Sequence, residues 1–319
     1  MYNVRELKPN EHEKWNAFLA KSAQGTLFHR LDWNQMLVDT DPQTDGFTAL
    51  ACVDKNEDFI AALTVPHRLA SSQRSAGSPF FGYVTPLLAE SLRYAERHHT
   101  YSGYSALVDL TNGIARQIGN VRLNNSPDIW DTRSFMFNAW KVETVYTHEW
   151  LHADDAWEKV TPDLQSIIQQ GKEKFSLHVS ADEKWDDLFA SHNPQLDAGV
   201  LKKRLAWMRG NGTGQLFALT DPQNQPVAFT LAMLSQPDRR AYLWGTACTD
   251  AKTESATLPI LFWQFCTALA ADHPRVDLGY SDNIHISQIK DKLGGRLLPT
   301  FITSYSKEGK SGKSQPNSE

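Results

Sequence analysis

The chain has 319 residues, of which 41% are hydrophobic and 22% are charged, a length and composition that suit two packed globular domains. The formal net charge of −5 gives no support for broad non-specific nucleic-acid binding. Three cysteines without a CxxC pair argue against a disulfide framework or a cysteine-built zinc site, and they suit a reducing cytoplasm. No apolar run is long enough to predict a membrane span, and the N-terminus shows no signal-peptide core.

The first half of the chain predicts a β-rich region with one long helix. Alternating apolar residues on both sides of a polar turn indicate a hairpin, and a Ser-, Gly- and Pro-rich stretch at 69–79 indicates a loop. A helix is expected over 104–118. The expected strands cover 47–57, 58–70, 79–88, 120–125 and 141–152.

The second half predicts a strand, two helices, three antiparallel strands, an apolar helix, a strand, a helix and a final strand. Between the halves, 154–174 is mostly helical and begins with Asp154 or Asp155 as its N-cap. The polar tail 307–319 is expected to be disordered. The expected strands cover 175–181, 214–221, 225–236, 239–250, 275–281 and 296–306, and the expected helices cover 183–193, 198–211, 256–274 and 284–295.

A short sequence recurs at the same place in both halves. Glu-Lys-Trp stands at 13–15 and again at 183–185, each time in an amphipathic segment that follows a short alternating strand. Self-similarity at long period indicates a duplicated unit. We therefore expect an N-terminal domain over 1–153, a helical linker over 154–174 and a C-terminal domain of the same fold over 175–306.

Two motifs support a resemblance to a known family. They are DLGYSDNIHISQIKDKLGG at 277–295 and GTLFHRLDW at 25–33. With the order of elements, they resemble the bacterial Fem-type (FemAB-like) aminoacyl and peptidyl transferases, and the second half resembles the GNAT acyltransferase fold. The resemblance covers nearly the whole chain up to about Ser306. It implies an α+β (α/β) fold class with two tandem GNAT-like domains, whose mixed central sheets are flanked by helices.

The first of these motifs holds the principal site candidates. Asp277 lies in a predicted strand, and Tyr280 and Ser281 follow at its carboxyl end, where open α/β sheets present ligand sites. Lys290 comes on the next helix, where an exposed ammonium can clamp a phosphate or carboxylate. The resemblance implies catalytic roles for Asp277 and Tyr280 and acceptor binding by Lys290. Ser281 and Gln288 are further substrate-binding candidates, and a surface lysine without function is the alternative for Lys290.

Three other side chains are candidates with structural alternatives. Tyr242 and Trp244 share one face of a predicted strand, since side chains alternate along a strand. The resemblance implies that this strand borders the acyl-donor opening, so Tyr242 could give a proton to a leaving group and Trp244 could line the acyl chain. Both could equally be core aromatics. His29 belongs to the early motif as a substrate-binding candidate, or it is a hydrogen-bonded structural histidine.

The resemblance implies transfer of an acyl or aminoacyl group to an amine, with acyl-CoA or aminoacyl-tRNA as donor and no metal. The amine would belong to a cell-envelope precursor or a surface polysaccharide. A GNAT protein that binds acetyl-CoA usually carries a glycine-rich loop before its long helix, where backbone N–H groups hold the pyrophosphate. Here that stretch, 249–263, has no glycine and carries Asp250 and Glu254, which would repel a pyrophosphate. The sequence leaves the donor, the acceptor and the oligomeric state open.

Two other functions remain as alternatives. His148, Glu149 and His152 match the HExxH signature of zinc hydrolases, which requires a helix so that both imidazoles face the metal. The surrounding sequence predicts a strand instead, on which Glu149 points away from the two histidines. Glu173 could still be a third ligand. The second alternative is a catalytically inactive GNAT-like binding protein.

Overall fold

The computed structural model describes residues 2–70, 73–77, 82–92, 100–129, 131–180, 183–194, 197–250, 254–280 and 283–307. Ser281 and the tail from 308 onward lie outside these residues. The chain divides into two compact units. The first holds the residues up to Val145 and those from Thr300 onward, and the second is Tyr146–Pro299. The final strand thus contributes to the first unit, whereas the sequence predicts one continuous domain over 175–306.

Most strands follow the alternating segments of the sequence, and the predicted hairpin near the N-terminus is present. The expected loop at 69–79 is wrong in part, because Gln73–Ala76 is a strand, and of the expected strand over 79–88 the described residues form only Leu87–Leu88. In chain order the strands are β1 (Asn3–Glu6), β2 (Thr44–Val53), β3 (Phe59–Ala70), β4 (Gln73–Ala76), β5 (Leu87–Leu88), β6 (Asn120–Asn124), β7 (Lys141–Leu151), β8 (Ser176–Val179), β9 (Gly214–Thr220), β10 (Pro226–Ser235), β11 (Arg240–Cys248), β12 (Arg275–Tyr280) and β13 (Arg296–Ser306).

Two helices begin at residues whose side chains cap them. Asp197 and Asn283 each accept a hydrogen bond from a first-turn N–H with the side chain, as good N-caps do. The expected N-cap at Asp154 or Asp155 is wrong, because the helix between the halves begins at Pro162, after Thr161. In chain order the helices are α1 (His12–Lys21), α2 (Leu31–Thr40), α3 (Thr100–Ile118), α4 (Arg133–Met136), α5 (Pro162–Lys172), α6 (Glu183–Ser191), α7 (Ala198–Gly210), α8 (Glu254–Leu269) and α9 (Ile284–Lys292).

The sheet of the first unit has the order β1-β2-β3-β4-β6-β13, and β5 pairs with β3. Neighbouring strands are antiparallel, except that β4 and β6 are parallel. Helix α3 packs its apolar residues on this sheet through Leu107, Leu110 and Ile114. A Cβ on Gly113 would lie 2.6 Å from Val4 Cγ1, so glycine lets β1 approach the helix closely.

The sheet of the second unit has the order β8-β9-β10-β11-β12-β7. Its strands are antiparallel, except that β11 and β12 are parallel. Helix α8 is apolar on nearly all sides, and a helix of that kind is stable only when it is covered. Helix α8 is buried in the main core cluster of this unit. Helix α5 packs closely on it at Gly171, where an added Cβ would collide with the side chain of Ile260.

The two units have the same strand order, as a duplicated fold predicts. Helix α1 follows the first strand of its unit, and α6 follows the first strand of the other. The repeated Trp has a packing role in both helices. Trp15 is fully buried, and Trp185 meets Phe229 edge-to-face at 6.3 Å. In each unit the strand at the sixth position does not follow the other five in chain order. It is β13 in the first unit and β7 in the second.

Candidate functional site

Strands β11 and β12 separate part-way along their length. Within the described residues their parallel pairing covers three positions, although β11 continues for six more residues and β12 for three more. The carboxyl halves of both strands therefore border an opening in the sheet. The paired residues are Arg240 with Arg275, Ala241 with Val276 and Tyr242 with Asp277.

A glycine bends each strand just beyond the last pair. Gly245 on β11 has φ of +64°, and Gly279 on β12 has φ of +74°, a backbone region that favours glycine. The ladder between β10 and β11 shifts register at Gly245, and that between β12 and β7 shifts at Gly279. Such bulges bend a strand and end its pairing. The two glycines thus give a local cause for the opening.

Asp277 stands where the two strands part. Its Oδ1 accepts hydrogen bonds from the Thr147 hydroxyl at 2.7 Å and from the Gly279 N–H at 2.8 Å. The carboxylate is buried in the second unit. Asp277 therefore holds the bulged end of β12 and places a carboxylate at the base of the opening.

Lys290 lies behind the end of β12. The side chain is 3% exposed, so the sequence-based expectation of an exposed lysine is wrong. Its Nζ donates to the carbonyl oxygens of Gly279 at 3.2 Å and Tyr280 at 3.1 Å. Hydrogen bonds from a charged donor are worth about 1.5–3 kcal/mol, so Lys290 stabilises the bulged strand end. Its established contacts are structural, and a clamp on substrate stays a proposal.

A cleft of about 310 Å³ lies beside α8 and α9 in the second unit. Ser255 and Ala256 in the first turn of α8 line one wall, and Gln288 and Lys292 on α9 line another. Lys292 Nζ also donates to Asp163 at 2.7 Å. Asp163, Leu164 and Ile167 of α5 complete the lining. The cleft is thus formed by α5 and by the helices that follow β11 and β12 in the chain.

Solved structures share this fold along nearly the whole chain. FemX aligns with 96% of this chain and 98% of its own, at a TM-score of 0.70 and 9% identity. A tandem GNAT protein from the clavulanic acid biosynthesis pathway aligns with 95% of this chain and 98% of its own, at a TM-score of 0.58 and 11% identity. L-PGS from Bacillus licheniformis aligns with 98% of this chain and 95% of its own, at a TM-score of 0.55 and 12% identity. The chain has a tandem GNAT fold.

The predicted resemblance and the α+β class are therefore confirmed at the level of fold. No protein-family profile matches the sequence, and no curated protein matches it. Identities near 10% carry the fold and leave the chemistry to be argued from the side chains. Among the described residues, no helix is both long enough and apolar enough to cross a bilayer.

Tyr242 and Trp244 lie on one face of β11, as predicted, and both are buried. The Tyr242 hydroxyl donates to Asp238 Oδ2 at 2.7 Å, in the turn that precedes the strand. Burial, reinforced by that carboxylate, raises the pKa of Tyr242 well above its usual value. Its hydroxyl therefore points away from the opening. Trp244 lies beyond the last strand pair and meets Phe189 edge-to-face at 6.2 Å, so it packs beside the opening.

Tyr280 and His29 have different surroundings. Tyr280 ends β12 at the rim of the opening, with its side chain half-buried. His29 is completely buried in the first unit. Its Nε2 donates to the Thr85 carbonyl at 2.8 Å, and its Nδ1 accepts from the Thr26 hydroxyl at 2.9 Å. Both ring nitrogens are occupied within the protein, so we remove His29 from the candidate site.

The buried His29 should make stability depend on pH. Burial lowers the pKa of His29 to about 4, whereas an unfolded histidine titrates near 6.5. The unfolded chain therefore takes up the proton first as the pH falls. The stability due to neutral His29 is present above about pH 6.5 and declines toward pH 4, by about 2 kcal/mol between pH 7 and pH 5.

Urea unfolding at pH 7, 6 and 5 measures this decline. His29→Gln should flatten the curve, and His192→Asn, at an exposed histidine, should leave its slope unchanged. Burial also lowers the pKa of His273, so part of the slope should persist in His29→Gln. A His29→Gln curve parallel to that of the wild type would contradict the assignment.

The HExxH match lies on a strand, as its surroundings predict. Residues His148 and Glu149 both belong to β7 and point to opposite faces. His148 Nε2 lies 2.9 Å from Asp291 Oδ1, and the Glu149 carboxylate contacts arginines instead. This is not the helical geometry of a zinc hydrolase. The described residues contain no group of three or more His, Cys, Asp or Glu side chains arranged to hold a metal ion.

Several site features were missed from the sequence. A glycine inside a strand pattern, such as Gly245, is a known sign of a bulge and could have indicated the opening. Gly279, within the motif that contains Asp277, is a second glycine inside a strand pattern. The Thr147 hydroxyl bond to Asp277 had no sequence signal, because it joins strands 130 residues apart.

Proposed function

We propose that the chain transfers an acyl or aminoacyl group to an amine, and that the opening between β11 and β12 receives the donor. The observation that carries this proposal is the separation of the two strands after Tyr242 and Asp277 in a tandem GNAT fold. Unpaired strand edges offer backbone N–H and C=O groups, which an extended pantetheine or aminoacyl ester can bind in place of a neighbouring strand. The bulges at Gly245 and Gly279 hold those edges apart.

The cleft formed by the helices that follow the two strands supports the same proposal. The polar end of the donor would lie against the first turn of α8, whose N–H groups favour an anion. Gln288, His285 and Lys292 from α9 would contact it from the other side. Glu254 at the start of α8 opposes a diphosphate there, so the proposal covers both an acyl-CoA and an aminoacyl-tRNA donor.

The chemistry needs little covalent help from the protein. The amine nitrogen attacks the acyl carbonyl, the new C–N bond forms, and the C–S or C–O bond to the donor breaks. The amine proton goes to Asp277, directly or through a water, and the leaving sulfur or oxygen takes a proton from solvent. Aligning the two reactants can account for roughly 7–11 kcal/mol of the barrier in ideal cases, and strand N–H groups can stabilise the oxyanion.

The acceptor is proposed as an amine on a cell-envelope precursor or a surface polysaccharide. Support comes from the resemblance to the Fem-type transferases and from the likeness to FemX over nearly the whole chain. Tyr280 and Trp244 would border the acceptor side of the opening. Lys290 would act there by holding the backbone of Gly279 and Tyr280 in place.

A thermal-shift panel of acyl-CoAs and aminoacyl-tRNAs tests the proposal, with free CoA and deacylated tRNA as controls. A donor at 100 times its Kd stabilises the folded state by about 2.7 kcal/mol, so a true donor should raise Tm by several degrees. The acylated form should stabilise more than its control, and hits should then transfer their acyl group to an amine. Binding without transfer to any amine would favour an inactive binding protein, and no stabilisation by any donor would overturn the proposal.

A further inference from the structure

A second cluster of charged residues lies at the opposite ends of β11 and β12 from the opening. At its centre is Glu149 on β7, whose side chain is 2% exposed. Glu149 Oε1 accepts from Arg275 Nε at 2.9 Å, and Glu149 Oε2 accepts from Arg296 at 2.7 Å. Arg240 lies 3.4 Å from Oε1 and is 1% exposed. Three guanidinium groups thus meet one carboxylate.

The buried arginine of the cluster contacts a second carboxylate. Arg240 also lies 3.6 Å from Asp238, so this buried arginine is shared by Glu149 and Asp238. Burial disfavours the charged form of Glu149, but the three arginines outweigh it and hold the pKa of its carboxyl below the usual value. The cluster is therefore charged at neutral pH.

Two of the three arginine side chains reach the solvent. The side chains of Arg275 and Arg296 are 37% and 57% exposed, whereas Glu149 beneath them is buried. Among the described residues, the Nη1 group of neither arginine has a partner. Each guanidinium is thus fixed on its inner side by Glu149 and retains N–H donors on its outer side. Holding two long side chains in place beforehand removes much of the entropy cost of binding.

We propose that Arg275 and Arg296 form a binding site for a phosphate group, held in place by the buried Glu149. Two neighbouring guanidinium groups with outward N–H donors suit an anion that has several oxygens, and arginine favours such bidentate contacts. A carboxylate offers only two oxygens, and Glu149 already occupies that role in the cluster. Because Arg240 and Arg275 begin strands whose far ends form the opening, this site is separate from the proposed donor site and does not depend on the proposed function.

The simpler interpretation is that the arginines only neutralise Glu149. That role needs one or two cations, and the buried Arg240 together with Arg275 already meets it. Arg296 is then the residue that distinguishes the two interpretations. Its removal should leave Glu149 compensated while taking away half of the outward-facing donors.

The test is a titration with inorganic phosphate at low ionic strength, followed by 31P NMR, on the full chain. Wild-type protein should bind, and Arg296→Gln should bind about tenfold more weakly or worse with an unchanged Tm. Arg296→Lys keeps the charge but loses the planar guanidinium, so its affinity for phosphate should lie between those of the wild type and Arg296→Gln. Arg133→Gln is the matched control, because Arg133 is 58% exposed and bonded to Asp131 in a similar way.

A second arm distinguishes the source of the phosphate. Phosphatidylcholine vesicles with and without phosphatidic acid are sedimented with each variant. Vesicle binding that Arg296→Gln abolishes and Arg133→Gln leaves intact would assign the site to a lipid headgroup, and binding of free phosphate alone would assign it to a soluble ligand. No binding of either probe, or equal losses in the Arg296 and Arg133 variants, would overturn the proposal.

Discussion

Glu149→Gln is expected to lower the free energy of unfolding by about 3–5 kcal/mol. Removing one partner of a buried ion pair leaves the other charge uncompensated, which costs far more than the pair itself contributes. Here the charge left behind is mainly that of Arg240, which is 1% exposed and also lies 3.6 Å from Asp238. Arg275 and Arg296 can turn toward water, so their share of the cost should be small.

Urea unfolding at pH 7 measures this loss. Asp155→Asn is the control, because it removes one partner of an exposed ion pair with Lys159, and such pairs contribute about 0–1 kcal/mol. The pKa of Glu149 lies below its usual 4.5 in the folded protein, so the stability it contributes is present above that pH and is lost as the pH falls through the folded value. The difference in the free energy of unfolding between wild type and Glu149→Gln should therefore decrease over that pH range. A loss as small as that of Asp155→Asn would contradict the role given to Glu149.

Asp277→Asn is expected to slow acyl transfer by about 10²–10⁴-fold with the fold preserved. Proton transfer by a positioned side chain contributes a factor of that size, and asparagine cannot take the amine proton. The substitution is nearly isosteric, and its amide oxygen can still accept from the Thr147 hydroxyl and the Gly279 N–H. The change therefore separates the charge of Asp277 from its structural bonds.

The measurement is a single-turnover rate with the donor and amine that react fastest with the wild type. Thr147→Val is the matched control, because it removes one hydrogen bond to Asp277 and retains the carboxylate. Its rate should fall far less, with a small loss of stability. A rate for Asp277→Asn within a few-fold of the wild type would remove the carboxylate from the mechanism and leave Asp277 as a support for the strand.

Much of the fold could be predicted because its signals are local. The strand over β7 follows from alternation, and this assignment explains why the HExxH match has the wrong geometry for zinc. Helix α8 follows from a long apolar run that ends before Pro274. The repeated Glu-Lys-Trp indicated a duplication, because both copies lie in a helix that follows the first strand of its unit.

The rest depends on contacts between distant parts of the chain. The burial of Lys290 could not be read from its helix, because its partners are backbone carbonyls that are exposed only where β12 bends. The direction of the Tyr242 hydroxyl depends on Asp238, whose place is set by the turn before β11. Glu149 and Arg296 are 147 residues apart and meet only in the folded sheet.

The position of β13 in the sheet of the first unit has a consequence for biosynthesis. The sheet of that unit needs β13, which begins at Arg296, so its sixth position stays unfilled while the preceding residues emerge from the ribosome. β6 meanwhile presents an open edge, the kind of edge that invites aggregation. Domains that are continuous in sequence can fold one after another during translation. This chain cannot complete its first unit until the residues of β13 have been synthesised.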